Sequence, residues 1–290
     1  MLTNLFKYLP KPDFQTYLPL SFEAHQIGWV HQENLNIVLA FPDIFLKEGN
    51  QLRFSKSFVK ASFDERVAIL AAFSQNLFDL GIVNNWRNEA YGIYPPQSDL
   101  KDPLFTIERG VAPLLGFRVF GVHINGYEQP QSGKAIEHIW IAKRSKMKMI
   151  EPHKLDNLAA GGLSFGEKPF ESAQREAMEE ANIPASLTQA LQFSAPFNYL
   201  AEFNKTIRNE CIFVFDLPLP AQFSPSINDG EVENFYRLSP LEIESALLDG
   251  EKFKPNSGLV TLHFLLRNQL TNFSPQEHRY LQQKLGIASS

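Results

Sequence analysis

Residues 161–183 read GGLSFGEKPFESAQREAMEEANI, and they crowd Glu176, Glu179 and Glu180 beside Arg175, with Glu167 a little upstream. At about 100° per residue, a helix holds these three glutamates within roughly a 100° arc and directs their carboxylates toward one point. Such crowding weakens an isolated helix. Carboxylates held together at neutral pH either take up protons or bind a hard cation. Oxygen-only ligands select Mg2+, Mn2+ or Ca2+ over zinc. Arg175 lies one turn before Glu179, within reach of Glu167 as an orienting partner. The preceding AAGGL permits close backbone approach and offers a carbonyl ligand.

The element that must carry these groups is well delimited. Pro169 suits a first helical turn. Asn182 is suited to the left-handed residue that closes a helix, and Pro184 prevents continuation. The pattern predicts a helix over 169–181 with Phe170, Ala173, Ala177 and Met178 turned to a core. Around it the chain reads as short strands: FRVFGVHINGY (117–127), HIWIAKRS (138–145) and NLAAGGL (157–163) before, ECIFVFDLPLP (210–220) after. GEVENFYRLSPLEIESALLDG runs from strand into helix, and SGLVTLHFLLRNQL and SPQEHRYLQQKLG read as two further helices. Strands mixed with helices, without regular βαβ alternation, imply an α+β class with a mixed sheet covered by helices.

Residues 1–112 read as a separate, smaller α+β unit, and 113–290 as the unit that carries the acidic helix. In the first, SFVKASFDERVAILAAFSQNLFDLGIV (57–83) has helical spacing, with start signals at Ser62 and Asp64 and a stop at Gly81. IGWV, LNIVLAFP and LRFS are short, apolar and β-branched, hence expected strands. YPPQSDLKDP (94–103) breaks any regular element.

Composition sets the boundary conditions. The chain has 290 residues, 44% hydrophobic and 20% charged, which suffices for a substantial buried core. The 25 phenylalanines are spread over both halves and are expected to fill cores. A net charge of −5 gives no general attraction to nucleic acid or an anionic membrane, so a phosphate must be met locally by a metal or a few basic side chains. The only cysteine, Cys211, lies in an apolar strand-like run and cannot form an intramolecular disulfide, in keeping with a reducing cytoplasm. No signal peptide is evident, and no run approaches the ~18 apolar residues of a spanning helix. His123 and His153 lack companions at zinc-ligand spacing.

A charge run alone ordinarily marks a solvated helix face. The wider spacing here resembles the Nudix box: Gly161, five residues, Glu167, seven residues, Arg175-Glu176, the small apolar Ala177, then Glu179-Glu180 and Ile183. Asn182 replaces the closing Gly, a mild departure because Asn also closes helices. The resemblance implies a Nudix α/β/α sandwich and a loop–helix–loop that binds divalent metal, Mg2+ or alternatively Mn2+, on a diphosphate. By position, Glu176, Glu179 and Glu180 would be metal ligands, Gly161 a backbone carbonyl ligand, and Arg175 with Glu167 the orienting pair. The cation would neutralise the diphosphate and activate a water for in-line attack at phosphorus. The base would be Glu176 or a glutamate from a distant loop, with Glu231 and Glu233 in NDGEVENFY as the candidates.

KLDNLAAGGL (154–163), GVHINGY (121–127), IWIAKRS (139–145) and WRNEAYGIY (86–94) further resemble the Nudix group related to the hydrolase part of fungal thiamine pyrophosphokinase-like proteins. In that group an N-terminal domain of unnamed function precedes the Nudix domain. EPHKLDN departs from it, with His153 in place of the usual Gly and no Trp before Pro152. The group implies hydrolysis of thiamine diphosphate, or its damaged oxo and oxy forms, to the monophosphate and phosphate. An aromatic wall of Trp86, Tyr91, Tyr94, Trp140 and Tyr127 would suit the thiazolium and pyrimidine. Asn125 and Asn157 would bond the heterocycle edge, and Lys154 and Arg144 the phosphate oxygens. WRNEAYGIY is expected to reach the substrate pocket from the N-terminal domain. The other readings are a hydrolase of ADP-ribose or sugar nucleotides, and a Nudix-fold sensor that binds without cleaving. The expected partner is a small-molecule diphosphate, met by a monomer or homodimer.

Overall fold

The computed structural model describes residues 4, 11–96, 98–130 and 135–287. The N-terminal half is built on a four-stranded sheet of β1 (Tyr17–Phe22), β2 (His25–His31), β3 (Phe45–Glu48) and β4 (Gln51–Phe54), in the order β2-β1-β4-β3. Helices α1 (Leu35–Leu39), α2 (Lys56–Lys60) and α3 (Phe63–Asp79) accompany it, and a hairpin of β5 (Ala90–Ile93) and β6 (Phe105–Glu108) closes it. Its core is strongly aromatic. Phe22, Phe45, Phe54, Phe58, Phe73 and Phe105 are all buried in one cluster, with Phe54 stacked on Phe58 at 4.7 Å.

The expected helix over 57–83 divides at Ala61, which is extended. Ser62 restarts it with a capping box in which Glu65 answers. Asp64 lies inside the first turn rather than at the cap, and Gly81, at φ +69°, follows the end of α3. The expected strand LNIVLAFP is the short helix α1 instead. Its backbone bonds to itself, as in Ala40 N–H to Asn36 O at 3.2 Å, and no described strand pairs with it. Short apolar runs do not separate the two states by pattern alone.

The second half is a mixed sheet between helical layers. β11 (Gln192–Phe203), β12 (Thr206–Leu219), β7 (Arg118–Glu128), β8 (Ile139–Arg144) and β13 (Val232–Leu238) lie in that order. β10 (Ala159–Gly162) pairs with β7, and β9 (Leu155–Asp156) with β8. β12 runs parallel to β7, and the other pairings in this sheet are antiparallel. On one face α4 (Pro169–Ala181) and α5 (Ala185–Thr188) cover Val122, Ile124, Phe215 and Leu217. On the other, α6 (Pro240–Asp249), α7 (Pro255–Arg267) and α8 (Pro275–Leu285) cover Ile139, Ile141, Ile212 and Val214. This is the α/β/α layering that the resemblance implies.

Cys211 is buried on β12, and the β11 strand, twelve residues long, had no expectation attached to it. Phe170 and Met178 depart from the expected core face: they are 38% and 44% exposed. The contact seam of α4 is Ala173, Ala177 and Ala181, all fully buried, and these small side chains bring the helix close to the sheet. Phe170 lies off that seam, its ring steeply inclined to that of Phe215 at 6.1 Å. No helix among the described residues is long and apolar enough to cross a membrane.

Candidate active site

Helix α4 begins after the extended Lys168, with Pro169 in its first turn, and ends at Asn182 in the left-handed conformation, φ 51° and ψ 39°. The alanine seam fixes its rotation, so that Glu176 and Glu180 are held beneath strand β10 and buried, while Glu179 stays half-exposed. Glu180 Oε2 accepts the Ala160 backbone N–H at 2.9 Å. Glu176 lies against Gly161: a Cβ on that glycine would fall 1.9 Å from Glu176 Oε1. The close backbone approach expected of AAGGL is therefore used by a carboxylate.

Arg175 organises the acidic set. Its Nε and Nη2 donate to Glu167 Oε1 and Oε2 at 2.7 and 3.0 Å, and its Nη1 donates to Glu176 at 2.8 Å and Glu179 at 2.9 Å. Hydrogen bonding from Arg175 holds the Glu167 carboxyl below the usual glutamate range. Burial does the opposite to the other two. It pushes Glu180 up to about 7, against the pull of Lys148, and raises Glu176 despite Arg175. Lys148, from the loop after β8, lies 3.5 Å from Glu180 Oε1 and also bonds Glu231.

Buried carboxylates with raised pKa values, all-oxygen donors and a glycine notch beside them fit a hard divalent cation. Among the described residues no three His, Cys, Asp or Glu side chains converge into a ready-made cage. Arg175 pairs with Glu176 and Glu179, and Lys148 lies beside Glu180, so these two cations hold the carboxylates together.

The site opens into a cleft of about 340 Å³ shared by the two halves of the chain. Tyr91, Arg144, Arg175, Glu176, Glu179 and Glu231 line it among the residues expected there. Glu231 is half-exposed on the loop before β13. Glu233 turns away into a surface cluster with Lys143 and His153, at 2.9 and 3.1 Å. Arg144 borders the cleft with its guanidinium already engaged, at 2.7 Å with Asp156, 3.0 Å with Glu151 O and 2.8 Å with Ile150 O.

Other expected substrate contacts are not brought to the cleft. Lys154 Nζ donates to Glu251 O and borders a different surface hollow. Asn125 and Asn157 are buried in a polar network. Asn157 bonds His123 at 2.7 Å, Asn125 at 2.9 Å and Thr261 at 3.0 Å, and Asn125 donates to Asp216 at 3.0 Å. Their amides are spent on joining the link between β9 and β10 to β7 and α7, and β7 to β12. His123 is neutral there, lowered to about 4 by burial.

The expected aromatic wall does not assemble. Trp86 packs on Phe78, Tyr127 on Phe264, and Trp140 is buried in the core under α4. Tyr94 meets Phe120 edge-on, and only Tyr91 of the expected set lines the cleft, joined by Phe120. Glu89, Arg109, Lys148, Glu210 and Lys254 also line it and had no assigned role. They lie in separate strands and loops, and no local motif joins them. For Glu89 alone there was a signal, its place within WRNEAYGIY.

Comparison with known proteins agrees with this architecture. Residues 129–257 match the NUDIX domain, and residues 2–119 match a domain of unknown function, DUF4743. An uncharacterized protein of Saccharomyces cerevisiae is 32% identical, covering 91% of this chain and 85% of its own length. Nudix hydrolase 24, chloroplastic, of Arabidopsis thaliana is 30% identical over 91% of this chain and 71% of its own length. A solved Deinococcus radiodurans structure, DR0079, is 24% identical with a TM-score of 0.44, covering 60% of this chain and 98% of that one. Nudix hydrolases generally depend on divalent cations. Matched by the NUDIX model and by curated Nudix hydrolases over most of its length, the chain belongs to the Nudix hydrolase family, as a diphosphate hydrolase with an additional N-terminal domain.

Proposed function

We propose that the protein hydrolyses the diphosphate of thiamine diphosphate, or of its oxo and oxy forms, to the monophosphate and phosphate, with Mg2+ as the cation and Mn2+ as a substitute. The observation that carries the hydrolytic reading is the pair of buried carboxylates, Glu176 and Glu180, raised by burial beside the Gly161 notch. When bound, the cation supplies charge neutralisation and Lewis acidity at the diphosphate. The Glu167–Arg175 pair holds the α4 carboxylates in orientation. Glu231, which lines the cleft beside Lys148, takes a proton from the attacking water.

For the thiamine reading, support comes from the chemistry of the cleft wall. Tyr91 and Phe120 line the cleft, and Glu210 accepts from Asn256 at 2.8 Å. Aromatic side chains beside a carboxylate suit a flat, positively charged ring. A second reading is favoured by Arg87, whose side chain has no partner among the described residues. An added cation in the cleft suits a more highly charged substrate such as ADP-ribose or a sugar nucleotide. The lone, buried Cys211 fits a reducing compartment such as the cytoplasm.

Incubation of the purified protein and Mg2+ with thiamine diphosphate, its oxo and oxy analogues, ADP-ribose and a sugar nucleotide tests the proposal, with products resolved by chromatography. Release of a thiamine monophosphate is the expected result. Cleavage of the nucleotides alone would replace the thiamine reading with the second one.

A further inference from the structure

We propose that Arg109, contributed by the N-terminal half, is a specificity-determining residue that grips the substrate's diphosphate from that side of the cleft. It gives the domain of unknown function a defined role as one half of the recognition site. The inference rests on the reading of the cleft as a diphosphate site.

Arg109 follows strand β6 and lines the same cleft as Glu176 and Gly161. Its Nη1 donates to Glu89 Oε2 at 2.7 Å, and its guanidinium carbon lies 5.6 Å from the centre of the Tyr91 ring. Among the described residues its Nε and Nη2 have no hydrogen-bond partner. The side chain is 40% exposed, so these donors are open to a ligand. Arg175 and Arg144, also in the cleft, spend their guanidiniums on protein oxygens. Among the described residues nothing fixes the side chain of Arg87. Arg109 is thus both free to bind and held in place, the combination that lowers the entropic cost of binding. A guanidinium fork matches phosphate oxygens in pairs.

Its support is tied directly to the catalytic loop. Glu89, which anchors Arg109, also accepts the Ser164 hydroxyl at 2.8 Å. Phe165 N–H donates to Ala90 O at 2.8 Å, and the Tyr91 hydroxyl fills the space at Gly162, where a Cβ would fall 1.7 Å from it. The β5–β6 hairpin is therefore bound to residues 162–165, between Gly161 and Glu167. With a net charge of −5, the chain must meet a diphosphate through such local cations.

The test is calorimetric binding of methylenediphosphonate, with Mg2+ present, to the full-length protein and to Arg109→Met and Arg109→Lys, with the melting temperature of each recorded. Arg109→Met is expected to bind at least tenfold more weakly at an unchanged melting temperature. Arg109→Lys, which keeps the charge without the fork, should lie between it and the wild type, and it carries the test if Arg109→Met fails to fold. Wild-type affinity in both variants, with or without a lowered melting temperature, would make Arg109 a strut and overturn the assignment. No binding of the probe by the wild type would overturn the diphosphate reading itself, and the assignment with it.

Discussion

Arg175 and Glu167 meet in a two-point ion pair, Nε to Oε1 at 2.7 Å and Nη2 to Oε2 at 3.0 Å. The pair joins the loop before α4 to the helix, and it leaves Nη1 to hold Glu176 and Glu179. Lysine keeps the charge but cannot make this fork. Arg175→Lys should therefore reduce divalent-cation affinity or kcat/KM by about 10–100-fold, the range for a partner that orients a ligand. Manganese binding followed by electron paramagnetic resonance measures the affinity directly. An unchanged affinity and rate would show that the pair orients nothing.

The same pair has a pH signature. The Glu167 pKa is lowered in the folded state from its ordinary 4.5, so its stabilising contribution is full above that value and is lost as pH falls through the folded-state pKa. Glu167→Gln should lower stability at pH 7 and flatten its decline below about pH 4.5. Urea melts across that range check the slope.

Glu180 behaves with the opposite sign. Its pKa is raised to about 7, so the folded protein retains a proton that the unfolded chain gives up near 4.5. Its contribution to stability is present at low pH and declines as pH rises from 4.5 toward 7. In EDTA that decline should be smaller in Glu180→Gln than in the wild type. Added Mg2+ should stabilise the wild type more at pH 8 than at pH 6, because it binds the ionised form. Thermal melts with and without Mg2+ decide this, and pH-independent stabilisation would count against Glu180 as a ligand.

Gly161→Ala should separate the site from the fold. The new Cβ would meet the Glu176 carboxylate at 1.9 Å, while the glycine itself does not use the left-handed backbone conformation. The expected result is a well-folded protein whose cation affinity falls more than about tenfold, as for loss of a ligand-orienting contact. Circular dichroism together with manganese titration distinguishes that from simple unfolding.

Glu231 and Glu233 are separated by their surroundings. Glu231 lines the cleft and bonds Lys148, whereas Glu233 is tied to Lys143 and His153 at the surface. Glu231→Gln should lower kcat by about 10²–10⁴-fold, the usual worth of a general base. Glu233→Gln should leave kcat within about twofold, as befits an exposed ion pair. Equal effects of the two substitutions would remove Glu231 from the role of base.

The parts legible in the sequence are those fixed by local chemistry. Helix α4 runs from Pro169 to Ala181 as its proline and asparagine signals predict, because caps depend on a few adjacent residues. The Glu167–Arg175 contact was legible for the same reason, since a loop and a helix turn only eight residues apart make it. The strand expected at LNIVLAFP is a helix because short apolar runs carry no decisive period. β11 went unseen because its outward positions are mixed, with Pro196 and Phe193 breaking clear alternation. Asn125, Asn157 and Lys154 have chemistry suited to substrate binding, but the two amides are drawn into a buried network and Lys154 bonds Glu251 O beside another hollow. Glu89, Arg109 and Glu210 reach the cleft through tertiary pairing, which no local spacing encodes.

The central claim is cation-dependent hydrolysis by the α4 carboxylates, and phosphorus NMR of a diphosphate substrate tests it most directly. Thiamine diphosphate and ADP-ribose would each be incubated with wild-type protein, with or without Mg2+, and with Glu180→Gln. The diphosphate resonances of at least one substrate should give way to monophosphate signals only with wild type and Mg2+, and the variant should lose more than about a hundredfold in rate, beyond the cost of losing an outer-sphere partner. Persistence of both substrates with the wild type, or equal decay with Glu180→Gln, would contradict the account.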